Sequence, residues 1–168
     1  MERKIHYIAM GGTFDARFDF NEDTIVPRQD TIVPVYLKKV GLENLIVTYT
    51  QVCLKDSRQI TAEDRDLCLK VISESPAELF VITHGLFTMP VTGKYLKDHR
   101  PMEDYDVQSS ACPADVIQPK TVVLTGAKVP LEDFVMSDAP FQLGFAFAQV
   151  QNLPRGWYTC FDGKTEKI

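Results

Sequence analysis

IHYIAMGGTF, residues 5–14, is an apolar run that ends at two glycines and then presents a hydroxyl group. A nearly continuous apolar sequence is typical of a buried strand in a parallel sheet. Paired glycines at the end of such a strand let the backbone adopt positive φ or approach a ligand closely. We therefore expect a first strand that brings Thr13 to the carboxyl edge of a sheet, where open α/β sheets bind ligands.

Strand-like and helix-like patterns alternate along the rest of the chain. Strands are predicted at residues 45–50, 79–83, 121–125 and 157–161, and helices at residues 34–40, 61–75, 88–96 and 139–151. The clearest helix start is Thr61 followed by Asp64, a pair that resembles a capping box. This alternation predicts an α/β fold, with a doubly wound, mostly parallel sheet, helices on both faces and a crevice at the carboxyl edge.

Two segments follow neither pattern. Residues 15–30 are polar and aromatic, and we expect a mobile loop that either closes over a ligand or is a plain surface excursion. Residues 97–118 are polar and broken by prolines, which predicts a surface insertion. That insertion is interpreted as an inert loop, with a partner face around residues 102–105 as the alternative.

Length and composition limit the classes of protein. A chain of 168 residues that is 45% hydrophobic predicts one domain over residues 1–168, with no carboxyl-terminal domain. The net charge of −5 and the scattered basic residues argue against nucleic acid as a partner. The longest apolar runs are strand-sized and no signal peptide is recognisable, so we expect no contact with a membrane and a cytoplasmic location.

The cysteines give no sign of a metal centre. Cys53, Cys68, Cys112 and Cys160 lie far apart and form no CxxC or Cys/His spacing. We therefore expect no metal and no cofactor, with reduced thiols that are mostly buried in a cytoplasmic protein.

Three predicted strands end in glycine beside hydroxyl or imidazole groups. These ends are Gly11-Gly12-Thr13, Thr83-His84-Gly85 and Thr125-Gly126. Turns of this kind leave backbone N–H groups free to hold a carboxylate or an oxyanion. A nucleophilic threonine also needs a nearby base, which composition does not locate. Ordinary tight turns between strand and helix are the alternative interpretation.

Four ordered motifs resemble the bacterial-type L-asparaginases. They are the GGT turn at residues 11–13, the segment KDS at residues 55–57 with its following helix start, the segment VITHG at residues 81–85 with Thr88-Met89, and the segment VVLTGA at residues 122–127 followed by Ser137-Asp138-Ala139. The resemblance covers nearly the whole chain and is closest to the amino-terminal domain of these enzymes, as in short members that have no second domain.

This resemblance implies a function and a set of site residues. The family hydrolyses the side-chain amide of asparagine, sometimes glutamine, through a threonine nucleophile and an acyl-enzyme, without cofactor or metal. Thr13 matches the nucleophile and follows Gly12, while Asp56 and Ser57 match the pair that holds the substrate's α-carboxylate and amino group. Gly85 belongs to a second site motif, and the family's members are homo-oligomers.

The motif that contains Gly85 differs from the family's sequence at two positions. The family's HGTDTM is His84-Gly85-Leu86-Phe87-Thr88-Met89 in this chain, so Leu86 and Phe87 replace a catalytic threonine and an aspartate. Neither apolar group can position or polarise a proton relay.

Two further family groups are in doubt. A tyrosine in the loop after the GGT turn aligns with Phe18. A lysine beyond the last strand has only Lys164 and Lys167 as nearby counterparts, and both come early for that role.

Two functions follow as hypotheses. One is an asparaginase-like domain with a partly degenerate site, which hydrolyses L-asparagine weakly or not at all and still binds a small amino-acid or amide ligand at Thr13, Asp56, Ser57 and the Gly85–Phe87 turn. The other is an active amidohydrolase that uses Thr13 on asparagine or another primary amide. A nucleotide-binding flavodoxin-like module is a weaker third reading, because the GGT turn lacks the longer glycine fingerprint.

Overall fold

The computed structural model of the chain describes residues 5–45, 48–100, 120–133 and 136–168. The strands are β1 (Ile5–Gly11), β2 (Ala16–Asp19), β3 (Thr24–Pro27), β4 (Thr48–Lys55), β5 (Leu79–Thr83), β6 (Thr121–Thr125), β7 (Gly156–Phe161) and β8 (Lys164–Lys167). The helices are α1 (Val33–Lys39), α2 (Ala62–Glu74), α3 (Met89–Asp98) and α4 (Ala139–Asn152), and one-turn 3₁₀ helices lie at Thr13–Asp15, Glu43–Leu45 and Ser57–Gln59.

The central sheet has six strands in the order β4-β1-β5-β6-β7-β8. The first five are parallel, and β8 returns antiparallel to β7. From β1 the chain crosses to β4 on one side and later to β5 on the other, so the strand order reverses at β1. Ligands of open α/β sheets bind at such a reversal, which here lies between the carboxyl ends of β1 and β5.

Helices cover both faces of this sheet, as predicted. Alternate residues of β1 point to opposite faces, so Tyr7 and Ala9 pack with α1 and α4, while Ile8 and Met10 pack with α2 and α3. Strands β1, β5 and β6 are buried along their whole length. Burial on both faces explains why their sequences are almost uninterrupted apolar runs.

Helix α2 begins where the capping box was predicted. The Thr61 hydroxyl accepts a hydrogen bond from the Asp64 backbone N–H at 3.3 Å, and the Asp64 carboxylate accepts one from the Thr61 N–H at 2.9 Å. Two of the helix's otherwise unsatisfied N–H groups are thereby paired. The helix buries Cys68 and Ile72 against the sheet and ends before Ser75.

The structure corrects the prediction at both edges of the sheet. Strand β4 occupies Thr48–Lys55 rather than residues 45–50, and Leu45 belongs to a 3₁₀ helix. As an edge strand, β4 is only half buried, so its sequence lacks the apolar run by which the inner strands were found. The other edge strand, β8, was not predicted at all.

The two segments that lacked a pattern have different outcomes. Residues 15–30 contain the antiparallel hairpin β2–β3 instead of an irregular loop. Of the predicted insertion at residues 97–118, the first two residues continue α3 to Asp98, and residues 101–118 lie outside the described residues.

The helices, the metal-ligating side chains and the cysteines of the described residues bear on membrane contact, metal binding and disulfide formation. No helix there is long and apolar enough to cross a membrane. No cluster of His, Cys, Asp and Glu there has the arrangement of a metal site. Cys53, Cys68 and Cys160 are free thiols, and burial raises the pKa of Cys53 to about 11.

Candidate functional site

The turn after β1 and the turn after β5 touch through their glycines. A Cβ atom built on Gly12 would lie 2.3 Å from the backbone nitrogen of Gly85, and a Cβ built on Gly85 would lie 2.6 Å from the Cβ of Ser57. Gly12 also has φ of +76°, a conformation that side chains rarely tolerate. The glycines are therefore needed here for close approach of three backbone segments at the point where the strand order reverses.

These turns surround a cavity of about 340 Å³. All seven residues that the sequence singled out line it: Gly12, Thr13, Asp56, Ser57, Gly85, Leu86 and Phe87. The wall is completed by residues that the sequence did not single out: Ala16, Ile25, Val26, Pro27, Lys55 and Arg58. The structure thus brings the predicted residues together, and their roles remain predictions.

The turn that carries Ser57 is held from two sides. Asp56 caps the 3₁₀ helix Ser57–Gln59, and its Oδ1 accepts a hydrogen bond from the Arg58 N–H at 2.9 Å. Thr88, at the start of α3, donates its hydroxyl proton to the Ser57 carbonyl at 2.7 Å. Ser57 itself is buried against Gly85. The Ser57 side chain therefore has a fixed position at the cavity wall.

The charged groups of the cavity are engaged in ion pairs. Arg58 donates from Nε and Nη2 to the two carboxylate oxygens of Asp56 at 2.9 and 2.6 Å, and these hydrogen bonds hold the pKa of Asp56 at about 2. Lys55 donates to both carboxylate oxygens of Asp64, and that hydrogen bond raises the pKa of Lys55. At neutral pH the Lys55 amine is protonated and Asp56 is a very weak base, so neither group suits general-base catalysis.

Leu86 and Phe87 make one side of the cavity apolar. The Leu86 side chain lies against Gly126 at the end of β6, where a Cβ built on the glycine would be 2.7 Å from Leu86 Cδ2. Phe87 is 81% exposed at the cavity, and the Arg58 guanidinium carbon lies 5.8 Å from the centre of its ring. These two side chains supply no proton donor or acceptor to a reaction at Thr13.

Thr13 is half-buried and begins the 3₁₀ helix that follows β1. The prediction that the glycine turns leave their N–H groups free is wrong at two positions. The Gly12 N–H donates to the Lys55 carbonyl at 3.0 Å, and the His84 N–H donates to the Thr125 carbonyl at 2.9 Å. Both amides are needed to join neighbouring strand ends, so neither is available to an oxyanion.

The hairpin β2–β3 forms a further wall of the cavity. Ala16 begins the hairpin, and Ile25, Val26 and Pro27 lie on its second strand. Asp15 fixes the base of the hairpin, because its carbonyl accepts a hydrogen bond from the Arg28 N–H at 2.8 Å. The hairpin is thereby tied to the same 3₁₀ helix that carries Thr13.

Buried side chains beside the 3₁₀ helix Thr13–Asp15 form a chain of hydrogen bonds. The Asp15 Oδ1 accepts from the Thr31 hydroxyl and from the Ile32 N–H, both at 2.8 Å. The Tyr7 hydroxyl lies 3.2 Å from that of Thr31 and 2.7 Å from that of Thr83. Burial is the main cause that raises the pKa of Asp15 and of Tyr7. This network joins β1, β5 and α1 beneath the cavity.

His84 faces away from solvent. It is fully buried, its Nδ1 lies 2.8 Å from the Gly85 carbonyl, and burial lowers its pKa to about 4. Because a carbonyl only accepts, Nδ1 carries the proton and Nε2 holds a lone pair. That Nε2 has no partner among the described residues.

The remaining family groups considered in the sequence lie elsewhere. Phe18 lines a second cavity of about 420 Å³ with Arg17 and Arg28. Lys164 and Lys167 are exposed ends of β8, and the Thr13 cavity is lined by neither. Arg58 was not predicted as a site residue. It directly follows the Asp56-Ser57 pair, and this position indicates that it lies near the cavity.

Comparisons with known proteins agree with this fold. The model of the family "Asparaginase, N-terminal" matches residues 4–101. No curated protein matches the sequence. Among solved structures, the probable cytoplasmic L-asparaginase from Campylobacter jejuni superposes with a TM-score of 0.74 at 25% identity, covering 99% of this chain and 48% of that one.

Two more distant structures share the fold. The thermostable L-asparaginase from Thermococcus kodakarensis has a TM-score of 0.72 at 22% identity, with 98% of this chain and 45% of that chain covered. L-asparaginase I from Vibrio cholerae has a TM-score of 0.71 at 22% identity, with 99% and 47% covered. The chain therefore spans about half the length of the solved structures that it matches.

Proposed function

This chain belongs to the asparaginase family through its amino-terminal domain, and on that premise we propose that its cavity binds a small amino-acid or amide ligand beside Thr13 while hydrolysing L-asparagine weakly or not at all. Thr13, Asp56 and Ser57 are retained at the cavity, which supports ligand binding. Slow hydrolysis is inferred from the side chains that surround these three residues in the cavity.

The observation that carries this proposal is the apolar side formed by Leu86 and Phe87. In the asparaginases that this chain resembles, the two corresponding positions hold a threonine and an aspartate that serve proton transfer. Here Leu86 fills the space over Gly126 and Phe87 stands exposed at the cavity. General acid–base catalysis contributes about 10²- to 10⁴-fold to a rate, so a threonine hydroxyl without such help is a poor nucleophile.

The charged groups of the cavity do not replace the missing relay. Asp56 has a pKa of about 2 and both its oxygens accept from Arg58. Lys55 is held protonated by Asp64. Neither group is suited to accept a proton from Thr13, because neither has a pKa near neutrality.

The experiment is ammonia release from asparagine, glutamine and a panel of other primary amides, with the purified chain beside Thr13→Ala and Thr13→Val. We expect background release from all three proteins. Ligand binding is followed in parallel by the ¹H–¹⁵N NMR signals of Gly12, Ser57 and Gly85. Shifts of these signals without ammonia release would support a binding site, and their absence with every amide would contradict one.

The alternative is an active amidohydrolase that uses Thr13. The intact Asp56-Ser57 turn beside Thr13 favours it, since a pure binding site would not require that threonine. Turnover in the wild type that disappears in both Thr13 variants would support this alternative and overturn weak hydrolysis. The double variant Leu86→Thr/Phe87→Asp is the matched gain-of-function control, and a rise in ammonia release would identify the missing groups.

We also propose a cytoplasmic location and self-association. The Campylobacter jejuni relative is described as probably cytoplasmic, and the three described cysteines are free thiols. Fractionation of cells that make the full chain tests the location, and light scattering across a range of protein concentrations tests self-association. A monomer at the highest concentration would contradict a homo-oligomer.

A further inference from the structure

The charges around the Thr13 cavity are already matched within the protein. Arg58 pairs with Asp56, and Lys55 pairs with Asp64. Asp56 is the one carboxylate among the described residues that line the cavity. An arriving ligand therefore meets two cationic side chains and a single carboxylate.

Both oxygens of that carboxylate already accept hydrogen bonds from Arg58. Oδ1 of Asp56 accepts from the backbone N–H and from Nε of Arg58, both at 2.9 Å, and Oδ2 accepts from Nη2 at 2.6 Å. A ligand ammonium group would have to share these oxygens with the guanidinium, which carries a like charge, or displace it from one of them. Since a two-point guanidinium–carboxylate pair is among the stronger surface ion pairs, this displacement costs affinity.

The guanidinium keeps hydrogen-bonding capacity of its own. Two of its five N–H groups point to Asp56, so three remain to donate to an acceptor in the cavity. Arg58 also lies over the ring of Phe87, which restricts where the guanidinium can be. The cavity thus offers donors for a ligand carboxylate, whereas the one carboxylate that lines it, among the described residues, is already paired with a cation.

Part of the wall is apolar. Ile25 and Phe87 are 51% and 81% exposed, and Val26, Pro27 and Leu86 also line the cavity. Exposed apolar side chains that border a cavity gain from contact with an apolar part of a ligand. A ligand with an apolar group near its carboxylate fits this surface.

We propose that the cavity selects carboxylate-bearing amides whose α-nitrogen is uncharged, because the nitrogen is either missing or acylated. This inference rests on the proposed function, since it names the ligand class of that same site. An acyl group on the nitrogen would remove the positive charge and bring carbon atoms against Phe87 and Ile25. Free α-amino acids such as asparagine are then the poorer ligands.

The test compares three ligands: L-asparagine, N-acetyl-L-asparagine and succinamate, which has no α-nitrogen. Dissociation constants are measured from the NMR signals of Gly12, Ser57 and Gly85 in the wild type and in Arg58→Gln. Lys39→Gln, an exposed lysine at the end of α1 and outside the cavity lining, is the control for loss of one positive charge. We expect the wild type and the control to bind both uncharged ligands about fivefold or more tightly than asparagine.

Arg58→Gln should shrink or reverse that preference, because Asp56 becomes free to accept an ammonium group. Arg58 is an exposed side chain, so the variant is expected to fold, and circular dichroism checks that it does. Equal affinity for all three ligands in the wild type, or an unchanged preference in Arg58→Gln, would overturn the inference while leaving the proposed binding site intact. No shift with any ligand would overturn both.

Discussion

Gly12 and Gly85 meet backbone to backbone at the carboxyl ends of β1 and β5. A Cβ atom on Gly12 would lie 2.3 Å from Gly85 N and 2.4 Å from Gly85 Cα. Because both contacts are with backbone, no side-chain movement can relieve them. The position of Thr13, directly after Gly12, depends on this contact.

Gly12→Ala is therefore expected to destabilise the domain by at least about 2 kcal/mol. A methyl group would have to adopt φ of +76° and also push the two strand ends apart, and strained backbone of this kind alone costs about 1–3 kcal/mol. Urea denaturation followed by circular dichroism measures the loss. The midpoint should fall at unchanged slope if only stability is altered.

Gly144→Ala is the matched control. Gly144 lies in α4, and a Cβ built there meets no atom within 4 Å. Alanine should stabilise this helix by about 0.5–1 kcal/mol. If Gly12→Ala were as stable as Gly144→Ala, the close contact between the two turns would not exist in solution.

The buried carboxyl group of Asp15 should make the stability of the protein depend on pH. Burial raises the pKa of Asp15, so the native state holds a proton there that the unfolded chain has already lost. The free energy of unfolding contributed by this group therefore falls as the pH rises from about 4 to the native pKa, and is constant above it. Asp15→Asn removes the ionisation but keeps an oxygen for the Thr31 and Ile32 hydrogen bonds.

The difference in unfolding free energy, wild type minus Asp15→Asn, should thus decrease across that interval. Urea titrations at half-unit steps from pH 3.5 to pH 7 provide the measurement. Asp30→Asn, which removes an exposed carboxylate from the same region, controls for the lost negative charge. A difference that rises with pH would mean that the Asp15 carboxylate is stabilised in its charged form.

The contribution of His84 to stability should depend on pH in the opposite sense to that of Asp15. With a pKa lowered to about 4 by burial, the native state resists protonation that the unfolded chain accepts near pH 6.5. Stability is then lost as the pH falls from about 6.5 to about 4, and the loss is of the order of 3 kcal/mol. Two-dimensional ¹⁵N NMR of the imidazole should show a neutral ring protonated at Nδ1 throughout pH 5–7.

His84→Asn offers the comparison for this effect. Asparagine keeps an N–H near the position from which Nδ1 donates to the Gly85 carbonyl, and it does not titrate. Its unfolding free energy should depend less steeply on pH between 6.5 and 4 than that of the wild type. An Nε2–H ring, or a midpoint near 6.5, would contradict the buried neutral imidazole.

The sequence predicted the inner part of the fold because burial on two faces leaves a clear trace. β5 and β6 have the predicted bounds, since each is a five-residue segment with an apolar centre that ends in threonine and is followed by glycine within two residues. The start of α2 was predicted from a local interaction, Thr61 with Asp64, that needs no knowledge of the rest of the chain. The glycine turns and the predicted site residues line one cavity, and the roles of these residues remain predictions.

The missed parts are those whose pattern depends on context. In the hairpin β2–β3 only the first strand alternates apolar and polar residues, so the sequence lacks a pattern that would predict both strands. Its ends are joined by the hydrogen bond between Arg28 and Asp15, a contact between residues far apart in the sequence. β8 is the exception, because the Asp162-Gly163 pair after Phe161 is typical of a two-residue hairpin turn and both residues have positive φ, so this strand could have been predicted. The sequence places Arg58 beside the predicted site, but its ion pair with Asp56 was not predicted, because that pair depends on where the two side chains point.

Phe87 allows binding and stability to be separated. The side chain is 81% exposed, and among the described residues its ring contacts one charged group, the exposed guanidinium of Arg58. Phe87→Ala should therefore change the free energy of unfolding by no more than about 0.5 kcal/mol. If the ring forms the apolar side of the ligand site, the same variant should bind N-acetyl-L-asparagine about three- to tenfold more weakly and succinamate almost unchanged.

Phe141→Ala is the control for that variant. Phe141 is also exposed, at 60%, but it lies on α4 and stacks with Phe145 outside the Thr13 cavity. It should leave the affinity for both ligands unaltered. Equal weakening of N-acetyl-L-asparagine and succinamate in Phe87→Ala would mean that the ring acts only through Arg58, by orienting the guanidinium. A large loss of stability in Phe87→Ala would instead show that the ring is part of the folded core and that its exposure at the cavity is not the state in solution.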